Sequence, residues 1–316
     1  MTTTKSPSIE HRKILIIKHG AFGDLIQATG ALRDLHTAHP DDERVLLTTP
    51  GYSRMMARCP YIDRIIIDKR ASGWRLHQHF ALARTLRSEN FCRVYDLQKS
   101  SRTRIYRRWL LPSVDWYGDK SDKRGESLRA SFIPQLISAG VNPAHCDTPS
   151  VEWMANDMRR FLRTQDIRIP FVVLVVGSAK RHPHKRWPHF AQLATQLGAD
   201  YQVVTVPGPD EMDLASTLPA KLLKNSDRCL DWFELAGILK EAAFVVGNDT
   251  GPSHLASALG CAGIALFGRH THSSRTGIAT SRFHAIDAPD LAALKAETVM
   301  EHIQRSIPLW NAKSSV

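Results

Sequence analysis

VVGNDTGPSHLASALG spans residues 245–260 and contains, in order, the end of an apolar strand, a polar turn and the start of a helix. Pro252 lies where the first residue of a helix belongs, because the N–H that proline lacks has no helical partner there. The turn Asp249-Thr250-Gly251 leaves backbone N–H groups at the helix start, where the helix dipole favours negative charge. At the carboxyl end of a buried strand, such a turn indicates an α/β fold and predicts a diphosphate site. The same spacing also suits a plain N-cap at Asp249 or Thr250.

Strands and helices alternate in both directions from this segment. Strands followed by helix-length amphipathic segments predict a parallel sheet with crossover helices, and the series occurs twice. The alternation of strands and helices is interrupted between about 145 and 170. This interruption predicts an N-terminal domain at 1–160 and a C-terminal domain at 161–316, with a ligand cleft between them. The predicted strands lie at 13–20, 45–50, 64–68 and 93–98, and then at 171–177, 201–208, near Leu222, 243–248 and 263–268.

Composition excludes several classes of protein. The chain has 316 residues, 43% hydrophobic and 23% charged, which suits two globular domains and excludes disorder for most of its length. No apolar run approaches the roughly 18 residues of a membrane span, and the polar N-terminus lacks the apolar region of a secretory signal. Five scattered cysteines without CxxC spacing indicate reduced thiols. We therefore expect a soluble, cytoplasmic protein.

The net charge of +11 is concentrated in the first half of the chain. Residues 1–155 contain 24 Lys and Arg against 16 Asp and Glu, whereas the remainder contains 18 against 15. This excess indicates an anionic partner, which could be nucleic acid, a membrane surface, or a phosphorylated or acidic substrate.

A basic loop follows the strand at 171–177. Lys180, Arg181, Lys185 and Arg186 in this loop are suited to neutralising phosphate, although a solvated basic loop has the same composition. Three histidines lie in and just after the loop, but neither a carboxylate nor a cysteine joins them. We therefore expect no metal site.

A glycine-containing turn follows the first strand, in KHGAFGDL at 18–25. Gly20 and Gly23 do not make the GxGxxG pattern, so a nicotinamide-dependent dehydrogenase is disfavoured. Asp24 opens the next helix and is either its cap or a general base that faces a cleft.

A second basic segment, DLQKSSRTRIYRRW at 96–109, follows the fourth strand. Its cations include Lys99 and Arg102, and Tyr106 and Trp109 lie among them. Charge with interleaved aromatic rings suits RNA, an acidic sugar or anionic lipid, and it also occurs on ordinary solvated faces.

Taken together, these segments resemble the bacterial heptosyltransferases, glycosyltransferase family 9, which build the inner core of lipopolysaccharide. The resemblance covers most of the chain in order. It implies a GT-B type glycosyltransferase fold, α/β with two Rossmann-like domains facing across a cleft. It further implies an inverting, metal-independent transfer of heptose from ADP-L-glycero-D-manno-heptose, without a cofactor. The motifs that carry it are the Gly23-Asp24 turn, LIQATGALRDL, LLTTPGYSRMMARCPYIDRII, DLQKSSRT, KRWP, PGPDE and NDTGPSHLASALGCAGIALFG.

The resemblance also implies roles for single residues. Asp24 matches the catalytic base and Lys185 the lysine that neutralises the departing diphosphate. Thr250 and Gly251 match the backbone cradle of that diphosphate, and Glu211 the residue that contacts the nucleoside. The donor-binding residues are Ser178, Lys185, Glu211, Asp249, Thr250, Gly251 and His254, and the acceptor-binding residues are Gly23, Lys99 and Arg102.

The implied partners are an ADP-activated sugar and an anionic, lipid-linked acceptor, the Kdo-lipid A inner core. A basic N-terminal half then suits peripheral docking on the inner leaflet of the inner membrane, and no nucleic acid is expected. Two alternatives stay open. One is a transferase of the same fold with another nucleotide-sugar or surface-polysaccharide acceptor, and the other is a non-catalytic protein that binds nucleotide-sugar or RNA.

Overall fold

The structure, a computed structural model, describes residues 12–71, 76–118, 127–180 and 182–306. The first eleven residues, where no secretory signal is expected, and Arg181 of the basic loop lie outside this part. The described chain forms two compact units. The first contains residues 12–20, 30–118 and 131–147, and the second contains residues 21–29, 127–130 and 148–306.

The first unit is built on a five-stranded parallel sheet. Its order is β3-β2-β1-β4-β5, so the first strand of the chain lies in the centre. Ile14 to Ile17 have no exposed surface, as expected for a parallel strand covered on both faces. The strands are β1 (Lys13–Ile17), β2 (Glu43–Thr48), β3 (Arg64–Ile67), β4 (Arg93–Asp96) and β5 (Asp115–Tyr117).

Five α-helices begin within the described residues between 12 and 147. The first runs from the second unit, which contains its residues 22–29, into the first unit, which contains residues 30–38. A π-helical turn, Tyr106–Leu110, directly continues the fourth helix. The helices are α1 (Phe22–Ala38), α2 (Pro50–Met56), α3 (Leu76–Ser88), α4 (Ser101–Ile105) and α5 (Ile133–Ser138).

The second unit is built on a six-stranded parallel sheet in the order β11-β10-β9-β6-β7-β8. Its strands are β6 (Phe171–Val175), β7 (Gln202–Thr205), β8 (Lys221–Leu222), β9 (Phe244–Asn248), β10 (Gly263–Phe267) and β11 (Phe283–Asp287). Its helices are α6 (Arg159–Thr164), α7 (Phe190–Leu197), α8 (Met212–Ser216), α9 (Trp232–Glu241), α10 (Gly251–Ala258) and α11 (Ala296–Ser306).

Trp187 anchors the core of the second unit. Its ring meets that of Phe190 edge-on, with centroids 5.0 Å apart, and its Nε1 donates a 2.7 Å hydrogen bond to the Leu294 carbonyl. The indole is thus buried with its polar atom satisfied, which avoids the cost of an unpaired donor. The segment between β6 and α7 is therefore fixed to the chain that precedes α11.

The predicted α/β class with two parallel sheets is confirmed. The sequence analysis missed β5 and β11, which are edge strands and each pair with one neighbour. The final helix begins at Ala296 rather than near residue 290, and α10 begins at Gly251, one residue before Pro252. Among the described residues, no helix is long and apolar enough to cross a membrane.

Candidate active site

A cavity of about 500 Å³ lies in the second unit, where the ends of β9 and β10 meet the first turn of α1. All the residues around it belong to this unit. It brings together seven of the residues singled out in the sequence: Gly23, Asp24, Lys185, Asp249, Thr250, Gly251 and His254. The other lining residues are Ala21, Gln27, Leu128, His182, His184, His270, Thr271, Arg275 and Thr276.

The turn that follows β9 is held by the last residue of that strand. Asn248 is fully buried, and its Nδ2 donates to the carbonyls of Val176 and Gly177 at 2.9 and 3.2 Å. Its Oδ1 accepts a 3.0 Å hydrogen bond from the backbone N–H of Trp187. One amide therefore connects β9 to both ends of the basic loop that contains Lys185.

Thr250 is the N-cap residue of α10, with φ −142° and ψ 166°, but its side chain does not cap the helix. Its hydroxyl instead lies 3.4 Å from the carbonyl oxygen of Asn248. The first N–H groups of a helix have no intrahelical partner, so this turn presents donors together with the positive end of the α10 dipole. The turn is thus suited to an anion.

Gly251 is required by the close approach of α1 to α10. A Cβ at this position would overlap Cδ1 of Phe22, whose ring stacks on Trp232 with centroids 4.1 Å apart. Gly23 lies against the same turn, and a Cβ there would be 3.1 Å from Cδ2 of His254. The first turn of α1, with the half-exposed Asp24, therefore lies next to the turn that begins α10.

Asp249 is the electrostatic centre of the cavity. One carboxylate oxygen, Oδ2, lies 2.7 Å from Lys185 Nζ and 3.0 Å from His270 Nε2, and Oδ1 lies 3.3 Å from His254 Nε2. Burial alone would raise the pKa of Asp249, but the hydrogen bonds from His254 and Lys185 outweigh it and hold this pKa well below its usual value. Asp249 is therefore an ionised acceptor for three side chains.

The two histidines beside Asp249 are held differently. Nδ1 of His254 lies 2.8 Å from Nε2 of Gln27, which also donates to the Thr276 carbonyl at 2.7 Å. Nδ1 then accepts, which leaves Nε2–H to donate to Asp249. Burial lowers the pKa of His270 more than Asp249 raises it, which favours the neutral imidazole with its Nε2 3.0 Å from the carboxylate.

Lys185 ends a short 3₁₀ turn, Pro183–Lys185, and its side chain remains 23% exposed. It is thus partly open to a ligand even though Asp249 holds it. An anion at the start of α10 would meet this ammonium group and the helix N–H groups together. Within the described ranges, no group of three or more His, Cys, Asp or Glu side chains is arranged to hold a metal ion.

Ser178 and Glu211 do not line this cavity. The buried hydroxyl of Ser178 donates to the His182 carbonyl at 2.8 Å and accepts from Arg186 Nε at 3.2 Å, so it braces the basic loop. The Glu211 carboxylate accepts from the Gly208 N–H at 2.9 Å and packs against Gly177, where any Cβ would overlap it. Glu211 thus lies near the carboxyl ends of β6 and β7.

Lys99 and Arg102 lie in the first unit. Lys99 Nζ donates to the Ser131 carbonyl at 2.7 Å and lies 5.7 Å from the centroid of the Phe132 ring. Arg102 donates to the Ala71 carbonyl at 3.1 Å and lies 3.4 Å from the Tyr106 hydroxyl. Both cations are half-buried beyond the carboxyl end of β4.

The sequence analysis missed Gln27 and His270. Gln27 lies three residues after Asp24 and therefore on the same face of α1, a spacing that the sequence does reveal. His270 follows β10, the neighbour of β9, so its loop opens at the same edge of the sheet as Asp249. Strand adjacency, which the sequence does not display, was the missing information.

Comparison with known proteins identifies the relatives of this chain. The sequence model of glycosyltransferase family 9 (heptosyltransferase) matches residues 140–303. Lipopolysaccharide heptosyltransferase 3 of Escherichia coli is 24% identical over 284 residues, which cover 79% of this chain and 82% of that protein. Lipopolysaccharide heptosyltransferase 2 of Salmonella typhimurium is 24% identical over 290 residues, which cover 81% of this chain and 82% of that protein.

Solved structures share the fold. A family 9 glycosyltransferase from Veillonella parvula has a TM-score of 0.78 at 18% identity, over 95% of this chain and 98% of that one. An E. coli heptosyltransferase with ADP-2-deoxy-2-fluoro heptose has a TM-score of 0.71 at 19% identity, over 93% of this chain and 99% of that one. The likeness therefore extends over both units described above.

Proposed function

Because the chain belongs to glycosyltransferase family 9, the heptosyltransferases, we propose that it transfers heptose from ADP-L-glycero-D-manno-heptose to the Kdo-lipid A inner core. The transfer inverts the anomeric carbon and needs no metal ion. The observation that carries this proposal is the cavity that holds Asp24, the Lys185–Asp249 pair and the first turn of α10. An ADP-heptose analogue and ADP accompany the structures of E. coli relatives, which supports the choice of donor.

Asp24 acts as the general base. It is half-exposed at the wall of the cavity, so an acceptor hydroxyl can reach it. Its carboxylate takes the hydroxyl proton while the hydroxyl oxygen forms a bond to the anomeric carbon of heptose. The bond from that carbon to the diphosphate oxygen breaks, and ADP leaves with the electron pair. Attack from the face opposite the leaving group inverts the anomeric configuration.

Lys185 and the start of α10 stabilise the leaving group. Negative charge develops on the diphosphate as the glycosidic bond breaks, and cations with fixed N–H groups lower the energy of that state. Thr250 and Gly251 supply the backbone cradle, while Asp249 orients Lys185 from 2.7 Å. His254 belongs to the same donor site, with Glu211 at the nucleoside and Ser178 in the loop that carries Lys185.

The acceptor is bound by Gly23, Lys99 and Arg102. Residues 1–160 form the acceptor-binding domain, and residues 161–316 form the donor-binding domain. Lipid A is anionic, which the basic residues of the N-terminal half complement. The enzyme accordingly works in the cytoplasm, peripherally associated with the inner membrane. The test must distinguish this function from two alternatives. One is a transferase of the same fold that uses another nucleotide-sugar or a surface-polysaccharide acceptor, and the other is a protein that binds nucleotide-sugar or RNA without catalysis.

The decisive experiment measures ADP release by the purified protein with ADP-heptose and Kdo-lipid A in the presence of EDTA. Turnover that requires both substrates and persists in EDTA supports the proposed donor, the proposed acceptor and a reaction without a metal ion. ADP binding without turnover redirects the search to other sugars or acceptors. The absence of any nucleotide binding contradicts the proposed site.

A further inference from the structure

An exposed surface of the first unit combines arginine with large apolar side chains. It is formed by α3 and by the helical segment 101–110, and we name it the arginine–tryptophan surface. Its members are Phe80, Arg84, Arg87, Arg104, Ile105, Arg108 and Trp109, all of which are exposed. None of them belongs to the cavity described above.

The two segments are joined directly. Arg87 Nη2 donates a 2.7 Å hydrogen bond to the backbone carbonyl of Trp109, which brings the end of α3 to the π-helical turn. Phe80, Arg84 and Arg87 follow one another at spacings of four and three residues, so they share one face of α3. The guanidinium of Arg108 lies over the Trp109 ring at 5.6 Å from its centroid. The seven side chains thus form one continuous surface.

Apolar exposure on this surface is unusually large. Phe80 is 70% exposed, Trp109 62% and Ile105 55%. These are three of the six large hydrophobic side chains that are exposed in the described part of the chain. Large apolar groups gathered on one face mark an interaction site, whereas scattered single ones do not.

The charge of the same surface has a single sign. Neither residues 76–88 nor residues 101–110 contain an acidic side chain, while together they contain six arginines. The nearest carboxylate along the chain, Glu89, is already paired with Arg64 and Lys13 at 2.6 and 2.9 Å. Because arginine stays charged at every physiological pH, the surface complements an anionic partner throughout.

The surface is also held rigidly. Tyr106, on the buried side of the π-helical turn, donates a 2.5 Å hydrogen bond to Asp68, which is 2% exposed. This bond fixes the helix that presents Ile105 and Trp109. Beside it, a groove of about 340 Å³ contains Arg87 among the apolar side chains of Leu86, Phe91, Leu110 and Leu111.

We propose that the arginine–tryptophan surface docks the protein on an anionic lipid bilayer. Tryptophan and arginine suit the headgroup region, and the aliphatic Ile105 suits the acyl boundary below it. Nucleic acid would also stack on the exposed rings of Phe80 and Trp109, but it has no apolar region to receive the aliphatic side chain of Ile105, which is 55% exposed beside them. This inference rests on the proposed function in one respect, since a lipid-linked acceptor gives the docking its purpose.

The experiment is co-sedimentation of the full-length protein with vesicles, without any sugar substrate. Vesicles of equal parts phosphatidylglycerol and phosphatidylcholine are compared with vesicles of phosphatidylcholine alone. The wild type binds the anionic vesicles, and added salt weakens binding. Arg104→Ala/Arg108→Ala reduces the affinity about 30-fold, because each arginine near an anionic surface contributes about 1 kcal/mol and about 1.4 kcal/mol changes affinity tenfold. Ile105→Ser/Trp109→Ser reduces it at least about tenfold.

Matched control variants come from elsewhere in the chain. Ile137→Ser removes an isoleucine that is 60% exposed in the same unit, and Arg160→Ala/Arg163→Ala removes two exposed arginines from α6. Both controls retain wild-type vesicle binding. All variants keep the wild-type thermal midpoint, since every altered side chain is exposed.

Vesicle binding by the surface variants at the level of the controls overturns the inference, as does a wild type that ignores anionic vesicles. Displacement of the vesicles by an equal charge concentration of RNA also overturns it. Turnover provides an independent measurement: the surface variants raise KM for acceptor embedded in vesicles and leave KM for a deacylated, water-soluble acceptor unchanged. If the wild type binds vesicles through this surface but releases no ADP, the proposed function fails and the docking surface stands.

Discussion

The Lys185–Asp249 pair allows the electrostatics of the cavity to be measured by a double-mutant cycle of Lys185→Ala, Asp249→Asn and the double variant. Breaking a fully buried pair costs about 3–5 kcal/mol. The Lys185 side chain is 23% exposed, and Asp249 keeps two histidine partners, so we expect Lys185→Ala to cost about 1–2 kcal/mol of unfolding free energy. The double variant should cost less than the sum of the singles, by about 1 kcal/mol.

Urea unfolding measures the stabilities, and isothermal titration measures ADP binding to the same four proteins. Loss of a charge-assisted hydrogen bond worth about 1.5–3 kcal/mol predicts ADP binding about 10- to 140-fold weaker in Lys185→Ala. Lys180→Ala is the matched control, because Lys180 pairs with Asp210 at 2.9 Å while both side chains are more than half exposed. That variant should change stability by less than about 0.5 kcal/mol. A coupling energy no larger than the stability change of Lys180→Ala, together with unchanged ADP affinity in Lys185→Ala, would refute the reasoning.

Three further predictions concern the base, the turn and acid stability. Asp24→Asn should lower kcat at least about 10²-fold with ADP affinity nearly unchanged, and near-normal turnover in an ADP-release assay would remove Asp24 from the mechanism. Gly251→Ala should weaken ADP binding and lower the thermal midpoint, because the new Cβ overlaps the Phe22 ring. Gly51→Ala is the control, since its Cβ meets nothing within 4 Å. Equal behaviour of the two variants would contradict the close approach of α1 to α10. Burial raises the pKa of Asp68, but the His19 ring, with Nε2 3.1 Å from Oδ2, and the hydrogen bond from Tyr106 outweigh burial and lower this pKa from 3.8 to about 2. The carboxylate therefore stabilises the fold above pH 4 by about 2 kcal/mol and loses that effect as the pH falls towards 2. Urea titrations at pH 3 to 7 should therefore show a shallower acid slope for Asp68→Asn, and an unchanged slope would contradict this assignment.

The sequence predicts every interior strand of the two described sheets, but only two of their four edge strands, β3 and β8. The runs that became β1, β6, β9 and β10 are continuous and apolar because parallel strands are covered on both faces, and this pattern is visible without a structure. The edge strand β5 (DWY) has only three residues, all of them partly exposed, so its hydrogen bonds to β4 define it rather than its own composition. Local pattern alone does not contain that information.

The candidate site divides along the same line. Lys185 and the turn at 249–251 follow β6 and β9, and residues at the carboxyl ends of parallel strands in one sheet meet at one edge. Asp24 follows β1 of the other sheet, and it reaches the cavity through the first turn of α1, which the strand pattern does not reveal. The spacing at 249–251 left open a plain N-cap at Asp249 or Thr250 and a diphosphate site. In the structure the Thr250 side chain does not cap the helix, and Asp249 contacts Lys185, His254 and His270, which are distant from one another in sequence. Contacts between distant residues are absent from the local pattern.

The buried amide of Asn248 has a consequence for catalysis. By bonding to Val176, Gly177 and Trp187, it fixes the loop of Lys185 to β9, the strand that precedes the turn proposed to bind the diphosphate. The ammonium group and the helix N–H groups are therefore positioned during folding, before any substrate arrives. Little reorganisation remains when charge appears on the leaving group, so the entropy of ordering this part of the site is lost once per folding event rather than once per turnover.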